Sequence, residues 1–256
     1  MSARRTGIAW IVAVMLAAGC GVDEGTASPM SDPVEILEQA LSSTASLGTV
    51  HARIELSASG DPQGLDGASG EGDLDLEEHE LTGTVDLPPA LGAASLSVVY
   101  ADRELFARSG SGDWERIGGN GEADPLVFLP TVAKIADAFD AALDEPGVAA
   151  RLVGTEACAA ATATCYHLTV DVPPEAVWLT VQRLQGLEGV DLPMPAGVPP
   201  VELEAWVDRA ELQIVRLQGG FVDAEAGTLA VEIELSAHDA AVDVSPPPSD
   251  AVAPEE

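Results

Sequence analysis

The stretch TVHARIELSAS, residues 49–59, sets Val50, Ala52, Ile54, Leu56 and Ala58 alternately with His51, Arg53, Glu55 and Ser57. A period of two sustained this long puts one side of the chain in an apolar core and the other in water, which describes a half-buried strand. Immediately upstream, Asp32 is placed to cap a helix, with Pro33 at its first position and Glu35 three residues after the cap. That helix is predicted over 33–47, with Ile36, Leu37, Ala40, Leu41 and Thr44 forming one apolar stripe and Gly48 ending it. A striped helix followed by a one-sided strand predicts helix packed on sheet.

Downstream the alternation continues in short runs. GASGEGDLDL, within a Gly/Asp-rich stretch, reads as a flexible turn, and strands are predicted in DLDLEE, ELTGTVDL, ASLSVVYAD, RELFAR and WERIG. Short alternating strands separated by turn signals indicate an antiparallel meander. Asp124-Pro125 then opens a helical segment that Pro130 interrupts, and a second helix to Leu143 carries Val132, Ile135, Ala136, Phe139 and Leu143 at helical spacing. Strands return at AARLVGTEA and CYHLTVDV. Pro173-Pro174-Glu175 starts another helix, with Val177, Val181 and Leu184 on one stripe and Trp178 beside it. A Pro- and Gly-rich loop over 186–200 carries Leu187, Val190, Leu192 and Met194; a loop this long in a compact domain is usually functional. Three strands close the chain, VELEAWVDRAEL, QIVRLQGGF and TLAVEIELSAHD, before a Pro-rich acidic segment, 245–256, expected to be disordered. The class is α+β: one antiparallel sheet and a few amphipathic helices that must bury their apolar faces together.

At the N-terminus, Arg4 and Arg5, an apolar run from Ile8 to Ala18, and Gly19 make an export signal too short to span a bilayer. Small residues directly before Cys20 resemble the lipobox of bacterial lipoproteins, although Ala17 stands where that motif usually has Leu. The resemblance implies removal of residues 1–19, acylation of Cys20, and a flexible tether through residue 30. Each buried methylene of an attached chain adds about 0.8 kcal/mol of membrane affinity. The protein is therefore expected to be exported and lipid-anchored at the outer face of the cell membrane.

The formal charge is −32, with one lysine, Lys134. Nucleic acid is excluded as a partner, because phosphate contacts need clustered basic residues. In an exported chain, Cys158 and Cys165, flanked by strand-like sequence, read as a structural disulfide; the Cys-x-x-Cys spacing or basic neighbour of a redox pair is absent. His51, His79, His167 and His238 are scattered singly, each expected at a surface or edge, with no metal-ligand spacing. No catalytic fingerprint occurs, and the abundant carboxylates follow strand alternation rather than marking a pair. The sequence points to neither an enzyme nor a cofactor.

The order of elements resembles the actinobacterial LppX/LprG-type lipoproteins. The resemblance is carried by the lipobox, the helix ending TASLGTVHARIEL, VVYADRELFAR with Trp114, DPLVFLP, VPPEAV, VELEAWVDRAELQIVRLQ with Trp206 and Asp208, and the closing V-x-V-S-P-P. That family is similar in shape to the LolA/LolB carriers. It implies a strongly curved antiparallel sheet, a half-barrel of about ten or eleven strands, wrapping its helices over 31–244. It also implies an apolar cavity for the acyl chains of a lipid or glycolipid, and an envelope transporter as partner. The expected walls are Leu126, Phe128, Leu129, Ile135 and Phe139, then Val177, Trp178, Val181 and Leu184, with 186–200 as gate and Arg103 or Arg183 facing an anionic head group. The competing reading is a surface interaction module with a filled core. A low aromatic content, 4%, leaves few bulky fillers for the interior.

Overall fold

Among the described residues, three α-helices and eleven strands follow one another as α1 (Pro33–Ala45), β1 (Thr49–Ser59), β2 (Ser69–Asp75), β3 (Glu80–Asp86), β4 (Ser95–Ala101), β5 (Glu104–Ser109), β6 (Glu115–Ile117), α2 (Val132–Leu143), β7 (Ala149–Ala157), β8 (Thr164–Val172), α3 (Pro174–Leu184), β9 (Val201–Asp208), β10 (Ile214–Asp223) and β11 (Gly227–Ser236). The computed structural model describes residues 30–59, 66–92, 94–117, 132–158, 163–184, 193–195, 197–223 and 227–253. All but the first two of these fall in one unit, Asp32–Glu256. The export signal, Cys20 and the tether lie outside the described residues.

All eleven strands join one antiparallel sheet in the order β6-β5-β4-β3-β2-β1-β11-β10-β9-β8-β7, curved but not closed into a barrel. It consists of a meander from β1 out to β6 and another from β7 back to β11, fused where β1 pairs with β11. That seam is long: His51 faces Ser236 at one end and Ser59 faces Thr228 at the other.

Strict register gives the sheet two chemically distinct faces. One row crosses it from β4 to β7 as Leu96, Val85, Gly70, Ile54, Ile233, Leu217, Ala205, Leu168 and Leu152. The adjacent row on the opposite face reads Arg108, Ser97, Thr84, Glu71, Arg53, Glu234, Arg216, Trp206 and His167. Alternation along each strand produces this separation. The helices lie on the apolar, inner face.

α1 begins as its sequence requires: the Asp32 carboxylate accepts from the Val34 N–H at 3.0 Å. Ile36, Leu37, Ala40 and Thr44 are buried, and the Thr44 hydroxyl accepts from the Ile214 N–H at 2.9 Å, fixing the last turn of α1 to the start of β10. α1 rests against β7, β9 and β10, and α2 lies between α1 and α3. The helix ends at Ala45, with Ser46 as cap. Gly48 leads into β1 instead, its N–H donating to Asp239 at 2.7 Å.

Curvature has a local cause on the inner face. Gly72 of β2 and Gly83 of β3 sit directly opposite one another. A methyl group at Gly72 would lie 2.9 Å from the Gly83 Cα and closer still to the Thr82 carbonyl oxygen. Only glycine permits so close an approach of two strands. This corrects the reading of GASGEGDLDL as a turn: only Gly67 remains in the turn, and Gly70 and Gly72 are interior positions of β2. Strand β7, an edge of the sheet, carries a register shift between Leu152 and Gly154 that turns Val153 outward at 58% exposure.

The Pro-rich tail also differs from the disorder expected of its composition. Residues 245–253 follow the outer face, where Trp114 donates its backbone N–H to Ala251 at 2.9 Å and accepts from Ala253 at 2.8 Å. Val244, Ala251 and Val252 pack on Val99, Ala101, Phe106 and Trp114. Those four form an apolar patch on an otherwise polar face, and three small hydrophobes of the tail cover it. The cystine forms as read, with Cys158 and Cys165 Cα atoms 5.2 Å apart, closing the β7–β8 hairpin beside Trp206.

Two measurements check this account. Gly83→Ala is expected to lower unfolding free energy by about 1–3 kcal/mol in denaturant titration, the usual cost of overpacking; an unchanged midpoint would mean the strands are not pinched there. Ending the chain after Asp243 removes Val252 from Trp114, so tryptophan emission should shift red and stability fall by roughly 1.5–3 kcal/mol. Unchanged emission and stability would show the tail to be a bystander.

Candidate functional site

The inner face is covered unevenly. Where α1 lies, burial is complete: Ile36, Leu168 and Val207 have no accessible surface, and Ala205, Val170 and Ile214 are nearly as deep. Along the transverse row, exposure rises on moving away from α1. Leu217 and Ile233 are half-buried, and Ile54, at the centre of the sheet, is 40% exposed. The next apolar row, Leu56, Val231, Gly219, Leu203 and Val170, follows the same gradient, with Val170 buried and Leu56, Val231 and Leu203 only half-buried.

These are large aliphatic side chains on the helix side of a sheet, where a filled core would bury them. The rows offer an apolar surface of valine, leucine and isoleucine without a charged side chain among them. Its chemistry suits hydrocarbon. Each methylene that such a surface removes from water is worth about 0.8 kcal/mol.

Of the expected wall residues, Phe139 on α2 and Val177, Trp178, Val181 and Leu184 on α3 are half-buried. The stripe predicted to bury α3 is thus only partly covered, and the buried positions of that helix are Ala176 and Gln182. Ile135 lies in α2, its side chain outside the described part. Leu126, Phe128 and Leu129 lie outside the described residues, as does most of 186–200; within that loop Met194 is 42% exposed. Arg183 approaches Glu145 at 3.9 Å, and Arg103 sits in the β4–β5 turn at φ 65°.

Sequence reading placed its candidate wall on the helices and did not single out the half-buried aliphatic residues of the sheet. Ile54, Ile233 and Leu217 were visible as apolar strand positions, but alternation cannot say whether a neighbour covers them. The outer face carries the chemistry that the scattered histidines concealed. His167 stacks on Trp206 at 4.6 Å, and Arg216 covers Trp206 at 4.5 Å. The Trp206 indole N–H donates to Glu156, and His167 Nε2 lies 3.0 Å from Glu204. This bonded stack seals the cystine end of the sheet. Burial holds the His238 imidazole below its usual pKa, against the nearby Asp239 and Asp208 charges.

No family profile matches the chain, and no curated protein matches it in sequence. Solved structures do. The lipoprotein LppX of Mycobacterium tuberculosis superposes with a TM-score of 0.51 at 15% identity, over 84% of this chain and 100% of that one. LprF of Mycobacterium bovis superposes with a TM-score of 0.59 at 14% identity, over 85% and 98%. The chain has the fold of LppX and LprF. At this identity the likeness is one of fold, and it agrees with the resemblance drawn from the order of elements.

The uneven covering makes a contrast that mutagenesis can read. Leu168→Ala should cost about 2–5 kcal/mol, as for any fully buried leucine. Ile54→Thr, in the same row, should cost less than about 1 kcal/mol, because little burial is lost and Thr suits a strand. Equal losses at the two positions in thermal or denaturant unfolding would mean that the inner face is sealed throughout.

Proposed function

We propose that this protein is an exported, membrane-anchored lipoprotein that binds an apolar lipid or glycolipid against the inner face of its sheet and carries it within the cell envelope. It acts as a carrier rather than an enzyme. The observation that carries this reading is the gradient along one row, from Leu168 fully buried to Ile54 at 40% exposure. Such a surface is costly to leave in water, and acyl chains are the apolar material that a membrane supplies in quantity.

Two further observations support it. The fold is that of LppX, a lipoprotein. The N-terminal sequence places Cys20 behind an export signal that resembles a lipobox. In this reading, acyl chains lie between Ile54, Leu217 and Ile233 of the sheet and Phe139, Val177, Trp178, Val181 and Leu184 of the helices. Leu126, Phe128, Leu129 and Ile135 extend that wall. The loop 186–200 gates the opening, and acylated Cys20 keeps the carrier beside its source. Among the described residues no helix is long and apolar enough to cross a membrane.

The test is direct. Native mass spectrometry of the protein purified from its envelope should report acylated Cys20, the Cys158–Cys165 cystine and a retained lipid. The delipidated protein should take up a fluorescent acyl probe saturably. Ile233→Glu, which sets a carboxylate into the apolar row, should weaken probe uptake at least tenfold while far-ultraviolet circular dichroism stays the same. No co-purified lipid together with no probe uptake would end the carrier reading.

A further inference from the structure

The outer face, opposite the proposed lipid surface, carries a separate concavity of about 360 Å³ across β1–β5. That volume lies within the range of small-molecule sites, about 300–1,000 Å³. Its origin is a change of side-chain length along one row. Register sets Glu71, Thr84, Ser97 and Arg108 side by side on β2, β3, β4 and β5. Two long side chains stand at the ends and two short hydroxyl residues lie between them, with Thr82 continuing the floor. Neighbouring strands are about 4.8 Å apart, so the end residues are about 14 Å apart at the backbone. The two long side chains bound the hydroxyl floor at either end.

The two walls have opposite hydrogen-bonding character. Glu71 and Asp73 offer carboxylate acceptors on one side; Asp73 is oriented by His51 Nδ1 at 2.8 Å. On the other side Arg108 lies over the Trp114 ring at 4.6 Å, and its buried Nε makes no hydrogen bond. Trp114 is in turn held by backbone bonds to Ala251 and Ala253. The buried Nε is out of an occupant's reach, but a guanidinium held in place by stacking on an aromatic ring presents the donors that line the trough in a fixed orientation.

An occupant must therefore supply donors toward β2, an acceptor toward β5, and groups that can do either above the hydroxyl floor. An inorganic anion would face Glu71 and Asp73 within a chain of formal charge −32. A simple cation would face Arg108. A ring bearing several hydroxyls, each both donor and acceptor, satisfies every wall at once. We infer that this trough binds a neutral carbohydrate of one hexose ring through Glu71, Thr84, Ser97 and Arg108. The site is independent of lipid binding, because the row that forms it points away from the inner face.

The experiment uses the full chain in a zwitterionic detergent that has no sugar head group. Methyl α-glucopyranoside, methyl α-mannopyranoside and myo-inositol are titrated by calorimetry and by saturation-transfer NMR, with inorganic phosphate, spermidine and glycine as charged comparators. At least one neutral polyol should bind saturably and more tightly than any comparator. Glu71→Gln and Arg108→Gln should each weaken it about tenfold, as expected for one charge-assisted hydrogen bond. Thr84→Val, nearly isosteric and safe for folding, should weaken it several-fold with an unchanged melting temperature. Uptake of the acyl probe should be unaffected by all three. Failure of every polyol to bind, tighter binding of phosphate, spermidine or glycine, or wild-type affinity in Glu71→Gln and Thr84→Val would each overturn the assignment.

Discussion

The pairing of β1 with β11 holds the two halves of this protein together. Each meander is assembled from neighbours in sequence, but the seam joins residues near position 50 to residues near 235, with Ile54 opposite Ile233 at its middle. Closing so long a loop costs chain entropy that local hairpins do not incur. What compensates is a full-length ladder, supplemented at one end by Asp239, whose N–H donates to the Thr49 carbonyl at 2.9 Å and whose side chain accepts from Gly48. Without that seam the inner row would be two unrelated apolar edges. With it, the row becomes a continuous surface from β4 to β7.

Continuity of the row explains why its covering is uneven. The helices are short, and α1 is committed to β7, β9 and β10 by its own stripe and by Thr44 bonded to Ile214. The centre of the sheet therefore keeps partly accessible isoleucine and leucine. Three of the chain's bulky aromatic side chains stand elsewhere. Phe106 and Trp114 belong to the outer patch under the tail, and Trp206 belongs to the outer stack with His167 and Arg216. These three stabilise the outer face.

Much of this was legible in the sequence, and the omissions share a cause. The alternation of 49–59, the Asp32 cap and the strand pair around the cystine were each decided by residues close in sequence, and each appears as read. The order of elements carried the α+β class and the curved sheet. Ser69–Asp75 was misread because its glycines look like a turn unless one knows that β3 passes within contact of β2. The tail was misread because proline and acidic residues dominate its composition, while the outcome turned on three small hydrophobes meeting a patch more than a hundred residues earlier. In the candidate site, the α3 stripe was visible but not its partial covering, and the sheet's wall residues were visible only as apolar positions. Periodicity reports which face a residue takes. It does not report what stands opposite.

That distinction bears on how the two faces divide their work. An apolar row tolerates substitution among aliphatics, since hydrocarbon contacts are undirected and a mobile acyl chain adapts to small changes of shape. The outer row has no such latitude. Its residues meet in fixed pairs: Arg216 with Glu232 at 2.8 Å, His51 with Asp73, and Arg108 on Trp114. A change of one member leaves the other partly buried and unpaired, which costs more than the pair itself contributes. The face that contacts cargo in the carrier reading is thus the permissive one, and the outer polar face is where the sheet's geometry is specified. A protein built this way can vary the half-buried stretch of its inner lining around Ile54, Leu217 and Ile233 at little cost, while the fully buried stretch around Leu168 stays committed to the fold.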